Sequence, residues 1–229
     1  MSARQHLIFD ADDTLWENNV YFEEAFEQFC SYLAHSSLSP EQVRDVLDEI
    51  ERVNAKIHGY GSKNFARNLA ECFHHLSERD VSERDIEAVR EFALQILHRP
   101  PQLITGVEDT LAYLNGRHTL LLFTKGDSEE QKLKVERSGL ARFFGYVAIV
   151  KEKNEAAYRA LALERDCVVE RTWMIGNSPK SDINPALAAG LSAVFVPHAR
   201  TWVLEREAVP DSHPRLIKVE RIAELIDHF

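Results

Sequence analysis

His6-Leu7-Ile8-Phe9-Asp10-Ala11-Asp12-Asp13-Thr14-Leu15-Trp16 is the stretch on which the fold of this 229-residue chain turns. Leu7 to Phe9 form the short apolar run of a parallel strand buried on both faces, and three carboxylates follow within four positions. A strand thus delivers negative charge to a loop at its carboxyl end, where open α/β sheets bind ligands. Carboxylates this close repel unless a cation, a partner charge or a shared proton compensates, and a hard divalent cation suits them best. The plainer alternative is a helix N-terminus, where aspartates commonly cap the first turn.

Composition narrows the partners. A net charge of −10 argues against a nucleic-acid backbone, which selects a basic face. An acidic protein that binds a small anion needs a local metal or lysine to overcome its own field. Cys30, Cys72 and Cys167 are odd in number and far apart, which excludes a disulfide framework and a thiolate zinc site. No run of about 18 apolar residues is present to span a bilayer, and no charged leader precedes an apolar segment, so the expected address is cytoplasmic, without a membrane partner.

Downstream of Trp16 the pattern is helical for roughly eighty residues. Phe22, Ala25, Phe26, Phe29 and Leu33 recur at helical spacing. Ser39-Pro40-Glu41-Gln42 starts a helix reaching about Ile57, His58-Gly59-Tyr60-Gly61 breaks it, and a further helix runs from Lys63 to about Leu76. Ser82 caps one more, and Arg99-Pro100-Pro101 ends the block. From Leu103 strands and helices alternate, as in βαβ units. The expected strands are Thr119–Phe123, Tyr146–Val150, Thr172–Ile175 and Ala193–Val196, with helices over Val107–Asn115, from Ser128 to before Gly139, over Glu155–Leu163 and over Ile183–Ala189. The tail from Ala199 to Pro214 reads as loop and Glu220–Ile226 as a last helix. The simplest packing places the first strand within the later sheet. The expected fold is therefore an α/β three-layer parallel sheet core, residues 1–16 and 99–229, with an inserted helical domain, residues 17–98, as a lid over the strand ends.

Three later strands also end in polar residues. Thr124-Lys125-Gly126-Asp127 offers a hydroxyl and backbone N–H groups for an anionic oxygen, or a simple helix cap. Lys151 and Lys153 follow Val150, and a lysine there can neutralise an anionic substrate and the crowded acids together, or sit as a solvated charge. Gly176-Asn177-Ser178-Pro179-Lys180-Ser181-Asp182 pairs a glycine turn with an acid that is either functional or only a cap.

In this order, Asp10-x-Asp12-x-Thr14, Thr124, the lysine, and Gly176-Asn177-Ser178 with Asp182 resemble the four motifs of the haloacid dehalogenase superfamily, most of whose members are phosphatases. The resemblance covers residues 5–16 and 103–196. It implies a Rossmann-like sheet, and it implies that the helical insertion is a C1 cap. It further implies that Asp10 is the nucleophile forming an aspartyl phosphate and that Asp12 is the general acid and base. Asp10, Asp12 through its carbonyl, and Asp182 would hold Mg2+, with Asn177 near it, while Thr124, Lys125, Gly126 and Lys153 would face the phosphoryl oxygens. Lys153 is preferred because Tyr158 follows five residues later, with Lys151 the alternative. Two features depart from the family: Asn177 stands where many members carry an acid, and a lysine-proline in the third motif is absent.

Asp12 favours phosphate chemistry over dehalogenation, because a halide leaves without a proton. The expected activity is Mg2+-dependent hydrolysis of a small phosphorylated metabolite by a monomer or homodimer. The alternatives are phosphoryl transfer within a sugar phosphate, a 2-haloacid dehalogenase, or a non-catalytic sensor of a phosphorylated ligand. Tyr60 and Lys63 in the glycine break would contact the substrate's organic part or a second anionic group; the alternative is a plain inter-helix turn. Asp13 is expected to be a bystander, and Trp16 to mark the exit into the lid.

Overall fold

The computed structural model describes residues 4–229. The chain divides into two compact units, Met1–Asn18 with Pro100–Phe229, and Asn19–Arg99. In chain order, β1 (His6–Phe9) and β2 (Trp16–Glu17) precede the helices α1 (Asn19–Leu33), α2 (Pro40–His58), α3 (Ser62–Leu76) and α4 (Glu83–Leu94). Then come β3 (Gln102–Leu103), α5 (Val107–Asn115), β4 (Thr119–Lys125), α6 (Ser128–Ser138), β5 (Tyr146–Val150) and α7 (Glu155–Glu164). The chain closes with β6 (Thr172–Gly176), α8 (Asn184–Ala188), β7 (Ser192–Phe195) and β8 (Leu216–Lys218).

The main sheet has six parallel strands in the order β5-β4-β1-β6-β7-β8. Alternation along the strands explains the three layers. Leu7, Phe9, Leu120 and Leu122 share one core with Val107, Leu111 and Leu114 of α5. Ile8, Leu121, Phe123 and Met174 share the opposite one with Tyr158 and Leu161 of α7. Fully burying a leucine or isoleucine is worth about 1.5–3 kcal/mol, so β1, whose Leu7, Ile8 and Phe9 are completely buried, is held on both faces. Asp10 N–H donates to Ile175 O at 2.9 Å, which fixes the first acid where the strand ends.

The helical unit has its own core around Phe29, Leu47, Leu69, Phe73 and Val89. Two reciprocal capping boxes start its helices, Ser39 with Gln42 and Ser82 with Asp85. Gly59 and Gly61 both have positive φ, 76° and 104°, which lets the chain reverse between α2 and α3.

Three local expectations are corrected. Leu216–Lys218 adds a sixth strand beside β7, in the short stretch between the tail loop and the last helix to which the sequence assigns no element. The last helix is a 3₁₀ segment, Ile222–Asp227. The helix expected from Ile183 opens with a widened turn in which Ile183 N–H reaches Ser178 O at 3.1 Å, and α8 follows from Asn184. A small antiparallel pair joins β2 to β3, the points at which the chain leaves and re-enters the first unit. No helix among the described residues is long and apolar enough to cross a membrane.

Candidate active site

The ends of β1, β5 and β6 bring one ammonium between two carboxylates. Lys153 follows β5 and is buried; its Nζ donates to Asp10 Oδ1 and, at 2.7 Å, to Asp182 Oδ1. Lys151 is exposed, so of the two candidate lysines only Lys153 joins this group. Burial works against the Lys153 charge, but Asp10 and Asp182 outweigh it and hold its pKa above the ordinary lysine range. Asp182 is completely buried, and burial together with Asp10 pushes its carboxyl up to about 7 despite Lys153. Three groups therefore share a charge balance that a cation or an anion at the site would shift.

The acids are oriented by the loops that carry them. Thr14 Oγ1 donates to Asp10 Oδ2 at 2.9 Å and accepts from Asn177 N–H at 3.2 Å, joining the first loop to the fourth. Ser178 N–H holds Asp182 Oδ2 at 2.9 Å. A Cβ on Gly176 would lie 2.8 Å from Asp182 Cβ, closer than real Cβ atoms approach, so glycine is required for the carboxylate to pack over the strand end.

Asp12 is held apart from this triad. Trp16 Nε1 donates to its Oδ1 at 2.7 Å, Gln131 Nε2 to its Oδ2 at 2.7 Å, and Lys134 Nζ to both oxygens at 3.0–3.1 Å. Lys134 also reaches Asn18 Oδ1 at 2.7 Å; burial lowers its pKa, but Asp12 and Glu130 more than offset this and keep it charged. Trp16 therefore does more than mark an exit, since it orients a carboxylate.

A haloacid dehalogenase-like hydrolase profile matches residues 5–190. The chain belongs to the haloacid dehalogenase-like hydrolase family. A member of this family from Xanthomonas campestris is 33% identical over 99% of this chain and 90% of its own, with a TM-score of 0.86. The haloacid dehalogenase (HAD) hydrolase YfnB of Bacillus subtilis, solved bound to magnesium, shares the fold at 17% identity, TM-score 0.71 and 99% coverage of both chains. So does L-2-haloacid dehalogenase from Xanthobacter autotrophicus, at 16% identity, TM-score 0.66 and 97% coverage of both. No curated protein matches the chain.

In this HAD-family core the remaining expected residues fall as follows. Thr124 is buried, and its hydroxyl lies 3.5 Å from Gln131 Oε1. Two expectations for the neighbouring turn need correction. Gly126 N–H is committed to Val150 O at 3.1 Å, because the β4–β5 ladder runs one residue further, and is not an anion donor. Lys125 Nζ turns to Glu205 and to Ser181 Oγ, at 2.8 Å from the latter, so its ammonium is already paired. Asn177 Nδ2 donates to Thr201 Oγ1 at 3.2 Å, making it a loop fastener in this arrangement. Tyr60 and Lys63 belong to the helical unit, in the turn between α2 and α3 and the first turn of α3; the groups described above all come from the core unit.

Asp13 is not idle: it accepts from Asn18 N–H at 2.9 Å, and His198 Nδ1 lies 3.8 Å away. Asp13, Glu17 and His198 bring three possible ligand atoms within 4.8 Å. The His198 ring is satisfied locally, with Nδ1 accepting from Arg200 N–H at 3.3 Å and Nε2 lying 3.2 Å from Glu17 Oε2.

Gln131, Lys134 and Glu205 escaped the sequence reading. The first two lie three residues apart on α6, a spacing that puts them on one helix face toward the strand ends. Glu205 stands in the tail with no pattern around it.

Proposed function

We propose that this HAD-family hydrolase is a magnesium-dependent phosphatase of a small phosphate monoester. The observation that carries the reading is Asp12, an acid two residues beyond Asp10 that Trp16, Gln131 and Lys134 hold in one orientation. A leaving alkoxide needs a proton and a leaving halide does not, so an acid held two residues beyond Asp10 favours phosphate esters.

In the first step an Asp10 carboxylate oxygen attacks phosphorus, the bond from phosphorus to the ester oxygen breaks, and Asp12 passes its proton to that oxygen. In the second, Asp12 takes a proton from water as the water oxygen attacks phosphorus, which releases inorganic phosphate and restores Asp10. Thr14 keeps the Asp10 carboxylate pointed. The Thr124 hydroxyl and Lys153 offset charge on the phosphoryl oxygens, and burial makes the Lys153 charge more effective.

The donor set fits magnesium: two carboxylates, Asp10 and Asp182, converge on a single nitrogen, and the Asp12 carbonyl follows in the same loop, all hard oxygens. YfnB, which shares this fold, was solved bound to magnesium, in keeping with a magnesium site on such a scaffold. A bound Mg2+ would neutralise and orient the phosphoryl group. The net charge of −10 favours a small phosphorylated metabolite over nucleic acid.

The test is hydrolysis of p-nitrophenyl phosphate and a panel of phosphorylated metabolites, with and without EDTA, beside halide release from 2-chloropropionate. Phosphate release that needs Mg2+ and disappears in Asp10→Asn supports the reading. Halide release without phosphatase activity overturns it.

A further inference from the structure

Glu205 lies in a short turn, Val203–Glu205, of the tail that follows β7, yet it is buried. Its carboxylate accepts from Ser178 Oγ at 2.6 Å and from Ser181 Oγ, and it pairs with Lys125 Nζ. Each partner is one step from the candidate chemistry. Lys125 follows Thr124 on β4. Ser178 N–H holds the Asp182 carboxylate, and Ser181 N–H donates back to Ser178 Oγ at 2.9 Å. The Ser181 carbonyl in turn accepts from Tyr158 OH at 2.9 Å, which ties the same loop to α7. One carboxylate thus joins the end of β4 to the loop carrying Asp182, across the sheet position of β1.

Such a pair is costly to bury, and apolar side chains of similar volume would pack there without that cost. What the ion pair supplies is direction: two hydroxyls and one ammonium converge on Glu205, so the loop has one register. Two further bonds from the tail reinforce it, Lys180 Nζ to Leu204 O at 2.9 Å and Arg206 Nε to Thr201 O at 2.9 Å.

We infer that Glu205 is a positioning residue: by clamping Ser178 and Ser181 to Lys125 it sets the place of Asp182, and through it the affinity for Mg2+. Lys125 is then the counter-ion of the clamp. The turnover arm of the test rests on the phosphatase reading; the binding arm needs only the metal.

The experiment uses the full chain as wild type, Glu205→Gln, and the double variant Lys125→Met/Glu205→Gln, measuring the Kd for Mg2+ by calorimetry, kcat and KM on p-nitrophenyl phosphate, and Tm. Glu205→Gln is expected to weaken Mg2+ binding about tenfold, the lower end for residues that orient a metal's ligands, and to lower kcat at nearly constant KM. The double variant is expected to bind Mg2+ as weakly as Glu205→Gln, because both substitutions act through the one clamp, whereas recovery would mean that only the Lys125 charge had mattered. If Glu205→Gln does not fold, Ser181→Ala removes one arm of the clamp and should weaken Mg2+ binding threefold or more, on the order of 0.7 kcal/mol. A Kd within twofold of wild type in the soluble variant, a double variant that recovers wild-type affinity, or wild type that binds no Mg2+ overturns the inference. The expected Kd pattern without phosphate-ester turnover leaves the clamp standing and overturns the phosphatase reading.

Discussion

Gly176 and Asp182 share a space that admits no side chain on the glycine: a Cβ there would stand 2.8 Å from Asp182 Cβ and nearer still to its carboxylate. Asp182 cannot yield easily, because Ser178 N–H and Lys153 grip its two oxygens. Gly176→Ala is therefore expected to cut kcat/KM by about 100-fold, the scale on which small misplacements act. Mg2+ affinity should weaken in parallel, with the far-ultraviolet circular dichroism unchanged. Steady-state kinetics and calorimetry check this.

Lys153→Met leaves Asp10 and Asp182 facing each other without the ammonium. Removing one partner of a buried pair costs about 3–5 kcal/mol, and here two carboxylates lose their common partner. The variant should unfold at markedly lower urea concentration in EDTA, and saturating Mg2+ should restore more of its stability than it adds to wild type. Equilibrium unfolding under the two conditions makes the comparison.

Lys134→Met removes the ammonium from Asp12 but leaves Trp16 and Gln131 in place. The expected loss in kcat is about 10–100-fold on alkyl phosphates, part of the 10²–10⁴ that general acid catalysis contributes. The loss should be smaller on p-nitrophenyl phosphate, whose leaving group needs less help from a proton. Parallel kinetics on the two ester classes reads the difference.

At the opposite end of the sheet, His118 is buried with Nδ1 accepting from Gln5 N–H at 3.3 Å. Burial lowers its pKa by disfavouring the charged ring, and the Arg4 and Arg117 guanidiniums nearby add to this. The unfolded chain takes up that proton first, below about 6.5, so this site costs stability as pH falls from there toward the folded pKa. Relative to His118→Gln, wild type should lose stability as pH falls below about 6.5, while groups common to both, such as Asp182, cancel in the comparison. Urea midpoints across that range measure it.

The legible part of the fold was the part written in short-range patterns. Leu7–Phe9 and Leu120–Phe123 read as strands because apolar runs stop abruptly at polar residues, and Ser39-Pro40-Glu41-Gln42 announced α2 because its cap is local. Lys153 was separable from Lys151 only through Tyr158, whose buried ring turns out to lie against Phe123 beneath the site. The Thr14 contact with Asn177 spans 163 positions and leaves no periodic trace. β8 was missed because Leu216–Lys218 is three residues long and follows a Pro- and His-containing tail; its pairing with β7 is purely tertiary. Lys125 and Gly126 were read as anion ligands because a turn's donors look alike in sequence, whereas their partners, Glu205 and Val150, are chosen by the sheet.

The central place of β1 also bears on how the protein is made. Its two hydrogen-bonding neighbours, β4 and β6, begin at Thr119 and Thr172, although β1 itself begins at His6. At a synthesis rate of about 5–20 residues per second, β1 waits on the order of ten to thirty seconds for its second neighbour. Until β6 emerges, one edge of this apolar strand, followed directly by repelling acids, lacks its native neighbour, so the strand that leads to Asp10 is exposed to misassembly during synthesis. Activity acquired during translation should therefore appear late, once the tail carrying Glu205 has emerged.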